Sequence, residues 1–394
     1  MLRRGITSAA SGGSVLAGIG LAMFVLSTCS STKPAPLETT EQHPLTVVGA
    51  GSGDGTVMSD GVGITCTITA GAPSGDCEEL YDDGTLVTLT GAPAGGSVFG
   101  GWSGAGCAGT APCQVTVDQA RTVTATFDPI GSLRWLAFAP TNFNPNLGIF
   151  PSIESIQADL EVAFSHGFDG VITFASDGTL MEIPRIAREV GFRGVHMGLF
   201  MFDEAQRSIE ITNAKAAAQF VDGYLVGNEG LIGCGGSFYS ADTLLATMED
   251  LRATTGKPVT TSEQIEDYLN GGGCLGGFLR TKGDWLAPII HPFNNGKRDP
   301  ATGVAFTVDR LQTLDGLTEK PVCAKETGWP TGGDPAATEE NQESYFVQLK
   351  LEAVCYAYFE YADLPWKQGS PWERFWGLFN EDRTPKLFVG RNQP

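Results

Sequence analysis

Positive charge is scarce in this sequence. Lysine and arginine number 25 against 45 aspartates and glutamates, which leaves a formal charge of −20. The deficit runs along the whole chain and no basic patch offsets it, so nucleic acid and other anionic polymers are excluded as expected partners. Histidine is scarcer still. The four histidines include none at ligand spacing from another histidine or a cysteine, so no metal site is expected. A long hydrophobic run is missing too: the apolar stretch from Val15 to Leu26 is too short to span a bilayer comfortably.

That stretch follows Arg3 and Arg4 and ends Leu26-Ser27-Thr28-Cys29, so residues 1–29 read as an export signal. Its end resembles a bacterial lipoprotein processing box, with Cys29 as the lipidated first residue of the mature chain. An ordinary secretory signal or an uncleaved anchor are the alternatives. On each reading the chain leaves the cytoplasm, and with lipidation it stays at the cell envelope, touching membrane only through that anchor. Residues 30–43, rich in Ser, Thr, Pro and Glu, read as a flexible tether.

From 44 to 128 helix formers are scarce and glycine recurs every few residues. Alternating runs such as Thr85-Leu86-Val87-Thr88-Leu89 and Thr122-Val123-Thr124-Ala125-Thr126-Phe127 predict strands. Gly100-Gly101-Trp102-Ser103-Gly104, Cys107, Cys113 and the closing T-V-T-A-T-F resemble one unit of a divergent repeat of bacterial surface proteins. So small an all-β module needs covalent staples, and Cys66 with Cys77 and Cys107 with Cys113 are the local pairings expected. One exposed-looking tryptophan does not make a sugar platform, so the module reads as a spacer in preference to a carbohydrate-binding or adhesive module.

Beyond residue 132 strand-like and helical runs alternate, the pattern of an α/β architecture with a parallel sheet. Strands are predicted at 133–138, 170–174, 194–200, 222–227, 257–262, 285–291, 320–326 and 355–360. Eight strands over residues 132–394 predict one (β/α)8 TIM barrel, whose active sites lie at the carboxyl ends of the strands. Between the fourth and fifth strands, Ser240, then Leu244, Leu245, Met248 and Leu251 at helical spacing, then Gly256, predict a capped helix.

Two apolar runs end in a glutamate. Leu225-Val226-Gly227-Asn228-Glu229 places one just after the fourth predicted strand, and Val322-Cys323-Ala324-Lys325-Glu326 closes the seventh, with the second glutamate 97 positions beyond the first. A carboxylic acid and a carboxylate flanking one pocket are what glycosidic bond cleavage requires. Asn228 adds an amide able to hold a sugar hydroxyl beside the reacting carbon, and Trp329 stands by as a stacking surface. Glu229 should sit in the drier place and keep its proton, while Glu326 stays ionised. Strand alternation aims Lys325 away from the barrel axis.

These segments, with Thr327-Gly328-Trp329-Pro330-Thr331, Phe359-Glu360-Tyr361-Ala362-Asp363-Leu364-Pro365-Trp366-Lys367 and Trp376-Gly377-Leu378-Phe379-Asn380, resemble glycoside hydrolase family 17. The resemblance implies a retaining β-1,3-glucanase or glucosyltransferase on a (β/α)8 barrel. Glu229 would be its acid/base, Glu326 its nucleophile and Asn228 the 2-hydroxyl partner, with Trp366 and Lys367 lining the cleft. A non-catalytic glucan-binding lipoprotein is the other class of reading. Leu364 stands where relatives carry an acidic residue, Phe138 and Phe174 where they carry tyrosines, and Ile172 where an arginine is usual. A neutral β-glucan is the expected partner, the chain is expected to be a monomer, and carboxylate chemistry on glycosides needs no cofactor.

Three more polar residues fall at predicted strand ends. His291 is either a sugar contact or a packed core histidine, Glu263 either a sugar ligand or a helix cap, and Asp177 either a substrate contact or a turn residue. Without Cys29, eight cysteines remain, an even number that suits disulfides in an exported chain. Cys234 and Cys274, both in loops on the catalytic face, could pair. Cys323 and Cys355 could bridge the seventh strand to the helix after it, or stay free and pack as small hydrophobes.

Overall fold

The structure is a computed structural model that describes residues 40–232, 236–270 and 276–391. Cys29, Cys234 and Cys274, with the signal and nearly all of the tether, lie outside the described residues.

The first nine strands follow from the glycine-punctuated alternation: β1 (Gln42–Ala50), β2 (Gly55–Ser59), β3 (Thr65–Thr69), β4 (Ala72–Asp76), β5 (Glu78–Asp82), β6 (Thr85–Pro93), β7 (Ser97–Ser103), β8 (Cys113–Val117) and β9 (Arg121–Pro129). They form two sheets, in the orders β5-β1-β9-β7 and β4-β3-β2-β6-β8. The pairings are antiparallel except β1 with β9. Alternate residues such as Leu45, Val47, Val87, Leu89, Val123 and Phe127 meet in one core. Disulfides Cys66–Cys77 and Cys107–Cys113 staple it, each beside that core. Trp102 is 5% exposed, packed edge-on against Phe99 and bonded through Nε1 to the Ala111 carbonyl. It therefore presents no sugar platform.

The remaining strands are parallel: β10 (Trp135–Ala137), β11 (Gly170–Ile172), β12 (Gly194–Leu199), β13 (Gly223–Val226), β14 (Val259–Thr260), β15 (Ile289–Ile290), β16 (Cys323–Thr327) and β17 (Cys355–Phe359). The ladder runs β14-β13-β12-β11-β10-β17-β16-β15. Hydrogen bonds from Asp284 N to Val259 O (3.0 Å) and Ile289 N to Glu263 O (2.9 Å) join its two ends, which closes the barrel. Each strand falls within or one residue beyond its predicted range. The helix Ala241–Thr255 also forms as read, with the Ser240 side chain accepting from Thr243 N and Gly256 left-handed at φ 67°.

Two tryptophans fill the amino-terminal end of the barrel. Trp135 and Trp285 sandwich His196, with ring centroids 4.4 and 4.8 Å apart. Gly170 and Gly194 make this possible, because a Cβ at either would fall 2.6 or 2.5 Å from the Trp135 ring. Val98 of β7 belongs to the same cluster, with Ile172, Leu225 and Ala287. Arg193 binds Asp128 at 2.7 Å, and a Cβ on Gly95 would strike the Asp284 carbonyl. A spacer would touch its neighbour little. These strands instead form a base on which the barrel rests.

Cys323 and Cys355 are joined, but not as expected. They are register partners on adjacent strands β16 and β17, so the bridge links the starts of two barrel strands, not a strand and a following helix.

Candidate active site

Glu229 stands just past the carboxyl end of β13, on a backbone turn that most residues avoid. Gly227 has φ 77° and Glu229 itself φ 51°, a left-handed conformation that costs a side-chain-bearing residue roughly 1–2 kcal/mol. Gly227 is required, since a Cβ there would lie 2.2 Å from the Tyr239 hydroxyl. Two contacts hold the turn: Glu229 N donates to Ser262 O at 3.0 Å, and Gln264 Nε2 donates to Glu229 Oε1. Glu229 is exposed at the mouth, yet its carboxyl is set low among protein groups. Loss of water there, and next the negative charge of Glu326, raise its pKa.

Glu326 is 3% exposed near the end of β16. Burial alone would raise its pKa. Lys325, the hydrogen bond and charge of His291, and Lys367 outweigh that effect and hold it at about 2. His291 Nε2 lies 3.3 Å from Glu326 Oε2, and its ring is packed against Phe359 and Trp376 at 4.7 and 4.9 Å. His291 is therefore both a packed ring and a partner of the carboxylate.

Lys325 overturns the alternation argument. Between Ala324 and Thr327 the strand advances three residues while its partner advances two, from Tyr356 to Tyr358. That extra residue is a β-bulge, which re-aims side chains on the bulged strand. Lys325 Nζ consequently lies 3.2 Å from Glu326 Oε1, donates to Asn228 Oδ1 and sits 4.4 Å from the Phe174 ring centroid. Asn228 is thus tied to the cluster through a lysine. Phe174, a phenylalanine where the family resemblance implies a tyrosine, supplies the apolar floor for that cation.

The other candidates divide. Lys367 binds both oxygens of Glu360 at 2.8 and 2.7 Å and acts on Glu326 by charge. Trp366 lines a cleft with Thr141, Phe143, Asp363, Leu364 and Glu381. Trp329 is fully buried, with Phe293 and Tyr345 against its ring and Nε1 bonded to Ala336 O. It packs beneath the site and offers no stacking face. Glu263 is also fully buried. It neither caps a helix nor reaches the mouth, because its Oε1 accepts from the Tyr239 hydroxyl and Leu231 N, fastening the segment after Glu229. Asp177 precedes the 3-10 turn Gly178–Glu182 and acts by charge on Glu210, apart from the cluster. Two members went unread in the sequence. Glu360 lay inside a quoted motif, and Gln264 directly follows the Glu that ends the fifth predicted strand.

The arrangement can do two things at once: hold one buried carboxylate ionised beside a cation, and shift a second carboxyl at the rim towards its protonated form.

Comparison with known proteins places the chain in a family and a fold. Residues 136–377 match the BtgE/BtgC glycoside hydrolase domain, and residues 62–131 match the divergent InlB B-repeat domain. The probable beta-glucosidase btgE of Aspergillus flavus is 25% identical over 253 residues, covering 60% of this chain and 41% of that one. The chain thus spans about two-fifths of the length of that relative. The probable family 17 glucosidase SCW10 of Saccharomyces cerevisiae is 23% identical, covering 63% and 64% of the two chains. In fold, the chain is similar to a family 17 beta-1,3-glucanosyltransferase from Rhizomucor miehei, at 19% identity and a TM-score of 0.54, over 65% of this chain and 96% of that one. The chain belongs to the BtgE/BtgC glycoside hydrolases, and with them to glycoside hydrolase family 17.

Proposed function

We propose that this protein is a retaining glycoside hydrolase of β-1,3-glucan. Glu326 attacks the anomeric carbon while Glu229 protonates the leaving oxygen; Glu229 then takes a proton from water, which releases the sugar from Glu326. The observation that carries this reading is the opposite treatment of the two carboxyls. Lys325 and His291 keep Glu326 ionised although it is buried, whereas burial and then the charge of Glu326 raise the pKa of Glu229. That is the division of labour between nucleophile and acid.

The linkage reading draws on relatives. An active-site mutant of the Rhizomucor miehei glucanosyltransferase has been solved in complex with laminaritriose, and a putative glucan endo-1,3-beta-glucosidase btgC of Aspergillus niger is 29% identical over 209 residues. Transfer to a second sugar instead of water uses the same residues. The experiment is incubation with laminarin and, separately, with a β-1,4-glucan. New reducing ends or transfer products from laminarin are expected. Products from the β-1,4-glucan alone would overturn the linkage.

The three disulfides among the described residues suit an oxidising compartment. This supports export; a monomer anchored through lipid on Cys29 at the cell envelope is proposed with it from the signal-like residues 1–29.

A further inference from the structure

Three phenylalanine rings gather at the barrel mouth on the Glu229 side. Beyond β12 the chain keeps alternating: Leu199 and Met201 are buried, whereas Phe200 is half-buried and Phe202 is 53% exposed. Phe238, 40% exposed, meets them from the segment after β13. The Phe202 and Phe238 centroids are 4.9 Å apart and Phe200 lies 6.2 Å from Phe238. Phe200 and Phe202 are parallel within 8°. Burial does not explain an outward cluster of three such rings, since each would be more stable covered.

The cluster is fastened to the acid/base. Phe238 N donates to Gly230 O at 3.0 Å, and a Cβ on Gly230 would lie 3.0 Å from the Phe238 ring. Gly230 is the residue directly after Glu229. The polar partners of Glu326 are instead Lys325 and His291.

We infer that Phe202 and Phe238, backed by Phe200, form the binding platform for the glucosyl unit on the leaving-group side of the scissile bond. The inference rests on the roles proposed for Glu229 and Glu326. An acid that protonates the leaving oxygen must lie on the side where the leaving sugar is held, so apolar rings beside Glu229 face that sugar and not the one attacked by Glu326. A β-linked glucosyl ring presents flat C–H faces that an aromatic surface can cover. After the first bond breaks, the same platform holds an incoming sugar acceptor. It therefore favours transfer of the glycosyl group from Glu326 to a sugar hydroxyl, with Glu229 taking that hydroxyl's proton, over transfer to water.

The test is partitioning of the glycosyl-enzyme, which does not depend on how that intermediate was formed. Wild type, Phe202→Ala, Phe238→Ala and the double variant are supplied with 2,4-dinitrophenyl β-laminaribioside as donor and laminaribiose as acceptor, and transfer and hydrolysis products are separated by chromatography. Each single variant is expected to lower the transfer-to-hydrolysis ratio about three- to tenfold. An unchanged ratio with donor still consumed overturns the platform and leaves the proposed chemistry standing. If wild type does not consume the donor, the chemistry falls, and calorimetric titration with laminaritriose decides the platform: weaker binding by the double variant supports it, equal binding overturns it. A wild-type dimer in sedimentation that the double variant dissolves would assign the rings to a second copy of the chain and likewise overturn it.

Discussion

The Lys325 ammonium lies 3.2 Å from Oε1 of Glu326, the residue next to it in the chain. Regular strand pleating sends neighbours to opposite faces, so this contact exists only because β16 bulges against β17 between Ala324 and Thr327. The bulge brings a cation and an anion from one dipeptide into one buried place. It also carries the lysine to Asn228 just past β13, linking the two strands that carry Glu229 and Glu326 by charge and not by backbone. Glu326 thereby remains ionised at 3% exposure, where an unpaired carboxylate would take up a proton.

Replacing Lys325 with methionine tests that account. Without the cation, burial would dominate and the Glu326 pKa would rise. The acidic limb of kcat/KM against pH is expected to move to higher pH, and kcat/KM at the optimum to fall about a hundredfold, corresponding to roughly 3 kcal/mol for breaking a buried pair. A variant that loses rate with its acidic limb in place would make Lys325 a packing residue only.

Glu326→Gly removes the proposed nucleophile and leaves a space. Hydrolysis is expected to stop, while added azide restores turnover of a dinitrophenyl glucoside and yields the α-azide, because azide attacks once from the vacated side. Folded protein that azide fails to rescue would refute the assignment of Glu326.

Much of this was legible in the chain. Eight apolar runs gave eight strands because a parallel strand is buried on both faces, and Glu229 and Glu326 were visible because each breaks such a run. What escaped was set by departures from regularity or by distant packing. The bulge that turns Lys325 inward leaves no mark in the alternation of residues, and the same holds for the burial of Trp329 against Phe293 and Tyr345. Glu263 ends a strand as a ligand would, yet Tyr239 on another loop claims it. The base under the barrel was hidden for a different reason: Val98 reads as a β-module core residue, and only assembly shows it packed among barrel residues.

Because Val98, Trp135 and Trp285 share one cluster, the β-module and the barrel are expected to melt together. Differential scanning calorimetry should show a single transition for the whole chain. Val98→Asp, which places a charge in that cluster, should lower its midpoint by several degrees or more. Two well-separated transitions in the wild type would show that the module unfolds alone and is a spacer after all.

Three other buried carboxyls set a pH dependence of opposite sign to that of Glu326. Burial pushes Glu210, Glu263 and Glu360 each up to about 7 from 4.5. A carboxyl with a raised folded pKa binds more protons folded than unfolded between those values. Its contribution to stability is therefore fully present below 4.5 and lost as pH rises through about 7, on the order of 1–3 kcal/mol for each group. Glu326, held at about 2, contributes above 4.5 and loses that contribution as pH falls through 2. His196, which burial depresses to about 4, adds stability as pH rises from 4 to 6.5, one group against three. Thermal midpoints are expected to peak near pH 5 and to decline towards pH 8. Glu263→Gln isolates one contribution: the amide still accepts from Tyr239 but does not titrate, so the variant should show a shallower decline between pH 5 and 8. A wild-type midpoint that is flat across that range, or a variant with the wild-type slope, would show that Glu263 does not hold its proton in the folded protein.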